Sequence, residues 1–403
     1  MNRQKSAYLA LGYACNQKCR CCPISNNQTA TTLIAPFNRL KAEAEQMLAL
    51  GVTDVTISGG EPTIHPNFFE IVNLFVKNDV VVHILSNGER FSESRFFDIF
   101  KQIAHRENIC ITTTFHSHIP QEHEFQNQTG GSFMRSFSGL KALEALGINI
   151  AVKHCITANN YTDLPEFIKW ALENFSANAE IQLWGIDLCG ISEVLSREVF
   201  VDYQNITSHM ECAIDIFEEY NPRGSRVLTV NNLPLCMCDA YYWGYFTSPE
   251  SDNYIEHLQN GRKMDAISGP VSSRCASCRF QRHCPGVYYS NFDVFGDDIV
   301  VPPVRELSVL SVNPRITSYN KQRIGLTYLS PLVKLDLSPM GFRVWNERIG
   351  DCVTLRIRSV QMDALMGLLH HGVSDEELTQ TIDGFELDGA EVVKELMLKG
   401  IIE

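Results

Sequence analysis

The chain has 403 residues, 44% of them hydrophobic and 20% charged, with a formal net charge of -13. That length suits about two or three domains with enough apolar material for real cores, and the negative balance argues against broad phosphate-backbone binding, which needs clustered Lys and Arg. No run approaches the roughly eighteen apolar residues of a membrane helix, and the brief apolar run behind the basic start "MNRQKSAYLALGYACNQ" has no cleavage site.

The expectation is therefore a cytoplasmic protein with no signal peptide and neither nucleic acid nor membrane as partner. Its fourteen cysteines point in that compartment to metal or catalysis before disulfides.

Short apolar runs alternate with amphipathic stretches through the first half. "SAYLALGY" is followed by Phe37, Leu40, Ala44 and Met47 at helical spacing, then "DVTISGG", "FFEIVNLFV" and "VVVHILSNG". The pattern continues through "FFDIFKQIA", "NICITTTF", "SFSGLKALEALG", "NIAVKHCIT", "LPEFIKWALENF" and "EIQLWGID". Six strands with helical crossovers predict a parallel α/β sheet, open or curled, closed by one long helix over 198–220. From 226 to 303 the chain becomes rich in Cys, Gly, aromatics and turn residues. After a linker at 304–328, residues 329–403 read as a small β-meander with turns at Pro339-Met340-Gly341 and Ile349-Gly350. Three helices follow, one opened by a Ser374/Glu377 capping box. No internal repeat or low-complexity segment is found.

Cys15, Cys19 and Cys22 have the spacing C-x3-C-x2-C on the loop after the first strand. Three thiolates on so short a loop can hold three corners of a cubane iron–sulfur cluster and leave one iron open. The alternatives are a zinc site with Cys21 as fourth ligand, or a chance cluster. "SGGEP", Ser58–Pro62, ends the second strand.

In that order and position these two motifs resemble the radical S-adenosylmethionine (radical SAM) superfamily. The resemblance implies a partial (β/α)6 barrel over 1–225 and a [4Fe–4S] cluster whose open iron is chelated by SAM. It also implies Gly59, Gly60 and Glu61 at the methionine amine, with Ser86 and Asn87 of "SNG" as SAM contacts or a simple turn. Cys21 stands where the family more often has an aromatic residue near the adenine.

Cys275, Cys278 and Cys284 spell C-x2-C-x5-C, with Cys236 and Cys238 upstream, which suits zinc or a second cluster. The order is similar to the SPASM and Twitch extensions, implying one auxiliary [4Fe–4S] cluster over 226–303 held by those three and either Cys236 or Cys238. Tyr288 stands where a two-cluster pattern has another cysteine. Cys110, Cys155, Cys189, Cys212 and Cys352 read as buried small hydrophobes. His116, His118 and His123 after the fourth strand read as a solvated loop before a substrate contact, and the "NQT", "NYT" and "NIT" sequons as chance.

Residues 329–403 resemble the PqqD-like winged-helix modules that bind leader peptides of ribosomally made peptides. That implies an added strand at the sheet edge near Phe342, Val344 and Trp345. Together these parts imply an enzyme that cleaves SAM to a 5′-deoxyadenosyl radical, fed by an external electron donor, and abstracts hydrogen from a peptide substrate, as a maturase. The bond formed and any catalytic acid or base are not specified. The rivals are a radical SAM enzyme acting on a small metabolite and a non-enzymatic iron–sulfur or zinc scaffold.

Overall fold

Six apolar runs form six strands joined by helices, in the order β1 (Gln4–Ala10), α1 (Phe37–Ala49), β2 (Asp54–Ser58), α2 (Phe68–Val76), β3 (Val81–Ser86), α3 (Ser94–Phe100) and β4 (Ile109–Thr114). Next come α4 (Pro120–Asn127), α5 (Ser132–Ala145), β5 (Asn149–Ile156), α6 (Leu164–Asn174), β6 (Glu180–Gly185), α7 (Glu193–Val199) and α8 (Tyr203–Glu219). The structure, a computed structural model, describes residues 4–24, 33–103, 105–221, 225–247, 255–259, 262–278, 280–282, 284–300, 333–338, 341–346, 352–371, 373–399 and 401–402.

The long helix expected over 198–220 is α8, which starts a turn later than expected, and a separate short helix, α7, ends just before it. Phe200 is extended (ψ 140°), and Asp202 starts α8 afresh by accepting from the Gln204 amide at 3.0 Å.

Strands β1 to β6 pair in parallel and in sequence order. Parallel crossovers are right-handed, so an order that never reverses puts every crossover helix on the same face. This is the barrel-type arrangement rather than the doubly wound one, a choice that periodicity leaves open. The helix-facing positions are apolar and buried: Val55, Ile57, Val82, Ile84, Ile109, Ile111, Val152, Ile181 and Leu183.

Two further parallel strands come from the segment that the sequence reading gives to the cysteine-rich part. β7 (Leu228–Asn231) adds beside β6, and β8 (Ile255–Gln259) adds beside β1, followed by the short antiparallel β9 (Arg262–Lys263). β10 (Ser268–Gly269) pairs with β11 (Val287–Tyr288), which leads into α9 (Tyr289–Phe295).

The chain divides into two compact units, Met1–Met237 with Tyr245–Val301, and Cys238–Gly244 with Pro302–Glu403. In the second, β12 (Val333–Ser338), β13 (Gly341–Asn346) and β14 (Cys352–Leu355) form an antiparallel sheet. Helices α10 (Ser359–His371), α11 (Asp375–Asp383) and α12 (Gly389–Leu398) follow. Ser374 Oγ accepts from the Glu377 amide at 3.2 Å, capping α11 as its sequence indicates. The core joins Phe342, Val344, Val353 and Leu355 to Met362, Leu365, Leu378 and Leu396.

That core corrects one expectation. Strand β13 lies between β12 and β14, hydrogen-bonded on both sides, and Phe342 and Val344 are buried in the core. No strand can be added at β13; the sheet edges are β12 and β14. The turns at 339–340 and 349–350 and the linker 304–328 lie outside the described residues.

Candidate metal centre

The loop after β1 and the loop after β2 meet backbone to backbone. The Gly60 amide donates to the Gly12 carbonyl at 2.9 Å and the Glu61 amide to the Ala14 carbonyl at 2.8 Å. A Cβ on Gly59, whose φ is +127°, would fall 2.0 Å from the Gly12 oxygen, and one on Gly60 would fall 2.2 Å from the Ala14 oxygen. Chain packing therefore demands both glycines, because the GGEP segment is pressed against the residues that lead into Cys15.

Glu61 is a buried hub. Its Oε1 accepts from the Thr63 amide (3.0 Å), the Thr63 hydroxyl (2.5 Å) and the Ser86 hydroxyl (2.8 Å), and its Oε2 accepts from the Asn87 amide (2.7 Å). Burial pushes its carboxyl above the usual range, against the pull of those four bonds. Ser86 is turned inward to Glu61, while Asn87 reaches the cysteine loop by donating to Asn16 Oδ1 at 2.7 Å. The loops after β1, β2 and β3 are thus tied together at the C-terminal ends of the strands, where active sites of such barrels form.

Helix α4 braces the cysteine loop from the other side. The Lys18 amide donates to the Asn127 carbonyl at 3.0 Å and the Arg20 amide to the Gln126 carbonyl at 2.8 Å, so the loop satisfies carbonyls that a helix end leaves without partners. The buried Asn127 amide is fixed in turn by His123 Nε2 (2.8 Å) and the Ser132 hydroxyl (2.8 Å).

The histidines correct the solvated-loop expectation. His116 and His123 are buried, as is His154 on β5. Burial holds all three below the usual imidazole range, to about 4, 3 and 3 respectively. Of the three, His123 reaches the cysteine loop through Asn127, while His116 donates its amide to His123 Nδ1 and His154 Nδ1 pairs with the Phe115 carbonyl. "PQEHEFQN" is too polar to announce a buried face; only the position of its fourth residue, His123, on the inner side of α4 marks it.

Gln17 touches two of the three thiols. Its amide donates to Cys15 Sγ at 3.4 Å, and its Oε1 accepts from Cys19 Sγ at 3.6 Å. Its Nε2 donates to Glu89 Oε1 at 2.7 Å, and Glu89 Oε2 pairs with Arg135 Nε at 2.5 Å. Sequence reading missed Gln17, Glu89 and Arg135, since nothing local sets them apart.

Burial raises the Cys15 thiol to about 11, offset partly by the Gln17 amide. The Cys19 thiol is raised well above its ordinary value by burial and by Cys21, Cys22, Cys15 and Cys155 around it. These thiols therefore gather in one place. Among the described residues no three His, Cys, Asp or Glu side chains converge closely enough for a single metal ion. Three thiols on one short loop suit a cubane cluster, whose ligands bind separate irons and leave one iron without a protein ligand.

Cys21 packs instead with Ile186, Leu188, Ile191 and Val199, against a half-buried Cys155. Cys110 and Cys352 are likewise half-buried, and Cys189 and Cys212 are exposed, which corrects their assignment as buried hydrophobes.

A second group gathers in the cysteine-rich segment. Burial, then Cys284, Cys275 and Cys278, raise the Cys236 thiol to about 12. Cys284 Sγ accepts from the Leu235 and Gly286 amides, each at 3.4 Å. Gly286, with φ +71°, would place a Cβ 2.0 Å from the Gly269 carbonyl carbon. Cys238 belongs to the other compact unit.

The sheet face opposite the helices is polar. It presents Thr56, His83, Lys153, Gln182 and Trp184, with the Lys153 ammonium 4.0 Å from the Trp184 ring centroid.

The sequence model of the radical SAM superfamily matches residues 9–171. Over 158 residues the chain is 25% identical to the antilisterial bacteriocin subtilosin biosynthesis protein AlbA of Bacillus subtilis, covering 39% of this chain and 34% of that one. Over 159 residues it is 26% identical to the mycofactocin maturase MftC of Mycobacterium tuberculosis, covering 39% of each. These alignments span about a third to two fifths of the relatives' length. Among solved structures, Streptococcus suis SuiB bound to its precursor peptide SuiA shares the fold over 73% of each chain, with TM-score 0.52 and 12% identity.

Proposed function

From the radical SAM domain that residues 9–171 form, we propose that this chain is a radical SAM enzyme that modifies a ribosomally made peptide. The observation that carries the reading is the backbone pairing of Gly60 and Glu61 with Gly12 and Ala14, which fixes GGEP beside Cys15, Cys19 and Cys22.

Cys15, Cys19 and Cys22 would hold a [4Fe–4S] cluster, and Gly59, Gly60, Asn87 and the Glu61–Ser86 hub would shape the seat of SAM. When bound, that pair supplies a 5′-deoxyadenosyl radical by one-electron cleavage of SAM. The chain's own part is positional. α4 and the GGEP segment clamp the cysteine loop, and the opposite sheet face, with Lys153 and Trp184, offers the floor on which a target carbon is held. Cys236, Cys275, Cys278 and Cys284 would hold one auxiliary cluster; the electrostatic proximity of Cys236 to the other three supports it over Cys238.

The peptide assignment is supported by what the relatives are. AlbA is a bacteriocin biosynthesis protein and MftC a maturase, and SuiB was solved with a precursor peptide. The leader would add to β12 or β14 in the second unit, the electron would come from an external donor, and the protein would work in the cytoplasm. Among the described residues no helix is long and apolar enough to cross a membrane.

The test is 5′-deoxyadenosine formation by anaerobically reconstituted protein with SAM and dithionite, wild type against Cys19→Ala. Product from wild type alone supports the reading. No product despite bound iron and sulfide, with and without any short peptide found encoded beside the gene, overturns it.

A further inference from the structure

Gln17 is a buried side chain with a fixed orientation. Its carboxamide lies between the Cys19 thiol and Glu89, 3.6 Å from the one and 2.7 Å from the other. A carboxylate only accepts hydrogen bonds, and this one is held by Arg135 at 2.5 Å. The amide must therefore turn Nε2 to Glu89 and its oxygen to the sulfur. Gln17 itself is only 6% exposed and Glu89 5%, so solvent screens this arrangement little.

While Cys19 carries a proton, the arrangement is a weak hydrogen bond from sulfur to oxygen. Once Cys19 is an iron-bound thiolate, that proton is gone, and the negative end of the amide dipole points at an anionic sulfur. Hydrogen-bond donors and dipoles around the sulfurs are among the levers that set a cluster's reduction potential. A donor aimed at sulfur stabilises the reduced, more negative state, whereas a carbonyl oxygen disfavours it. The loop has one of each, since the Gln17 backbone amide faces Cys15 at 3.4 Å.

We propose that the Gln17 carboxamide, pinned by Glu89 and Arg135, is a positioning residue that lowers the reduction potential of the cluster held by Cys15, Cys19 and Cys22. The electron added to the cluster is thereby made a stronger reductant, the quality that one-electron cleavage of a sulfonium needs. This rests on the radical SAM reading above, and the sequence motif alone does not contain it.

The experiment is a redox titration of the full-length, anaerobically reconstituted protein, followed by electron paramagnetic resonance. The signal that changes on adding SAM identifies the cluster with the open iron. Wild type is compared with Gln17→Met and Gln17→Leu, both of which remove the amide dipole. Both variants are expected to take up wild-type iron and to show a midpoint shifted upward. A tenfold change in the reduction equilibrium reads as about 59 mV for one electron.

An unchanged or lowered midpoint in Gln17→Met overturns the proposal. If Gln17→Met does not take up iron, Gln17→Leu decides on the same criterion. A wild type that takes up a cluster without any SAM-sensitive signal defeats the enzyme reading instead, so the two failures are distinct.

Discussion

Ser86 donates its hydroxyl to Glu61 Oε1 over 2.8 Å, joining the end of β3 to the turn after β2 beneath the cysteine loop. Glu61→Gln would set an amide NH2 against a backbone or hydroxyl donor at one of its two ends. Leaving a buried donor unpaired costs about 1–3 kcal/mol. The expected outcome is a lower urea midpoint at unchanged slope, with Ser86→Ala milder, and equal midpoints for wild type and Glu61→Gln would refute the hub.

Gly59→Ala and Gly60→Ala should fail to give folded protein able to take up iron. Each methyl group would meet a carbonyl oxygen at 2.0–2.2 Å, and at Gly59 the positive φ adds strain. Gly130→Ala, where nothing lies within 4 Å of the added carbon, is the control and should behave as wild type in iron-per-chain assays.

Acid should destabilise the barrel early. His116, His123 and His154 have folded values of about 4, 3 and 3 against 6.5 when unfolded. The unfolded chain therefore binds more protons than the native one between those values. Their contribution is complete above pH 6.5 and is lost as pH falls from there toward 4, by up to about 1.4 kcal/mol per histidine per pH unit. Glu61, raised by burial, acts in the opposite direction. Urea titrations at pH 7 and 5.5 should show the loss, and His123→Gln should reduce it.

Loading of the metal centre should favour alkaline conditions. Burial pushes the Cys15 thiol up to about 11 and the Cys236 thiol up to about 12; on the proposed reading both bind iron as thiolates, so metal uptake would release protons. Iron competition against a chelator, with the chelator's own pH dependence subtracted, should show apparent affinity rising between pH 7 and 8.5. A flat profile would refute it.

The second unit should not fold when cut at residue 302. Asp239 accepts from the Ser359 amide, with oxygens at 3.2 and 3.3 Å, at the start of α10. Arg358 lies over the Tyr241 and Tyr242 rings at 5.7 and 5.6 Å. A fragment 302–403 keeps Ser359 and Arg358 but lacks Asp239, Tyr241 and Tyr242, and its near-ultraviolet circular dichroism should be weak. In the intact chain Asp239→Ala should cost about 1 kcal/mol, as for loss of a helix cap.

The strands, the Cys15–Cys22 loop and the Cys275–Cys284 run were legible in the sequence because each is a local pattern: six apolar runs at crossover spacing, and thiols close together in the chain, whereas the sequence left Cys236 and Cys238 undecided. What makes the site work was less legible, because it consists of pairings between distant residues. The glycines of GGEP suggested room for a ligand, yet their nearest neighbours are Gly12 and Ala14, more than forty positions earlier. Gln17 meets Glu89 across 72 positions. Strand β13 carries aromatic residues that looked like a binding edge, but its place in the middle of the sheet depends on β14, which no property of β13 itself discloses. Strands β7 and β8 were hidden among cysteines and turn residues, since four or five residues carry too little periodicity to register.

Among the described residues the nine-stranded sheet runs from β7 at one end to β9 at the other, and those two ends do not pair with each other. A closed cylinder admits only what can be inserted through its mouth, so a long chain would have to be threaded from a terminus. A sheet with a seam imposes no such rule, because a strand-like molecule can be laid in sideways with both tails outside. Position along such a molecule would then be chosen by its distance from a gripping point elsewhere rather than by nearness to a free end, and residues in its middle become as reachable as those at its tip.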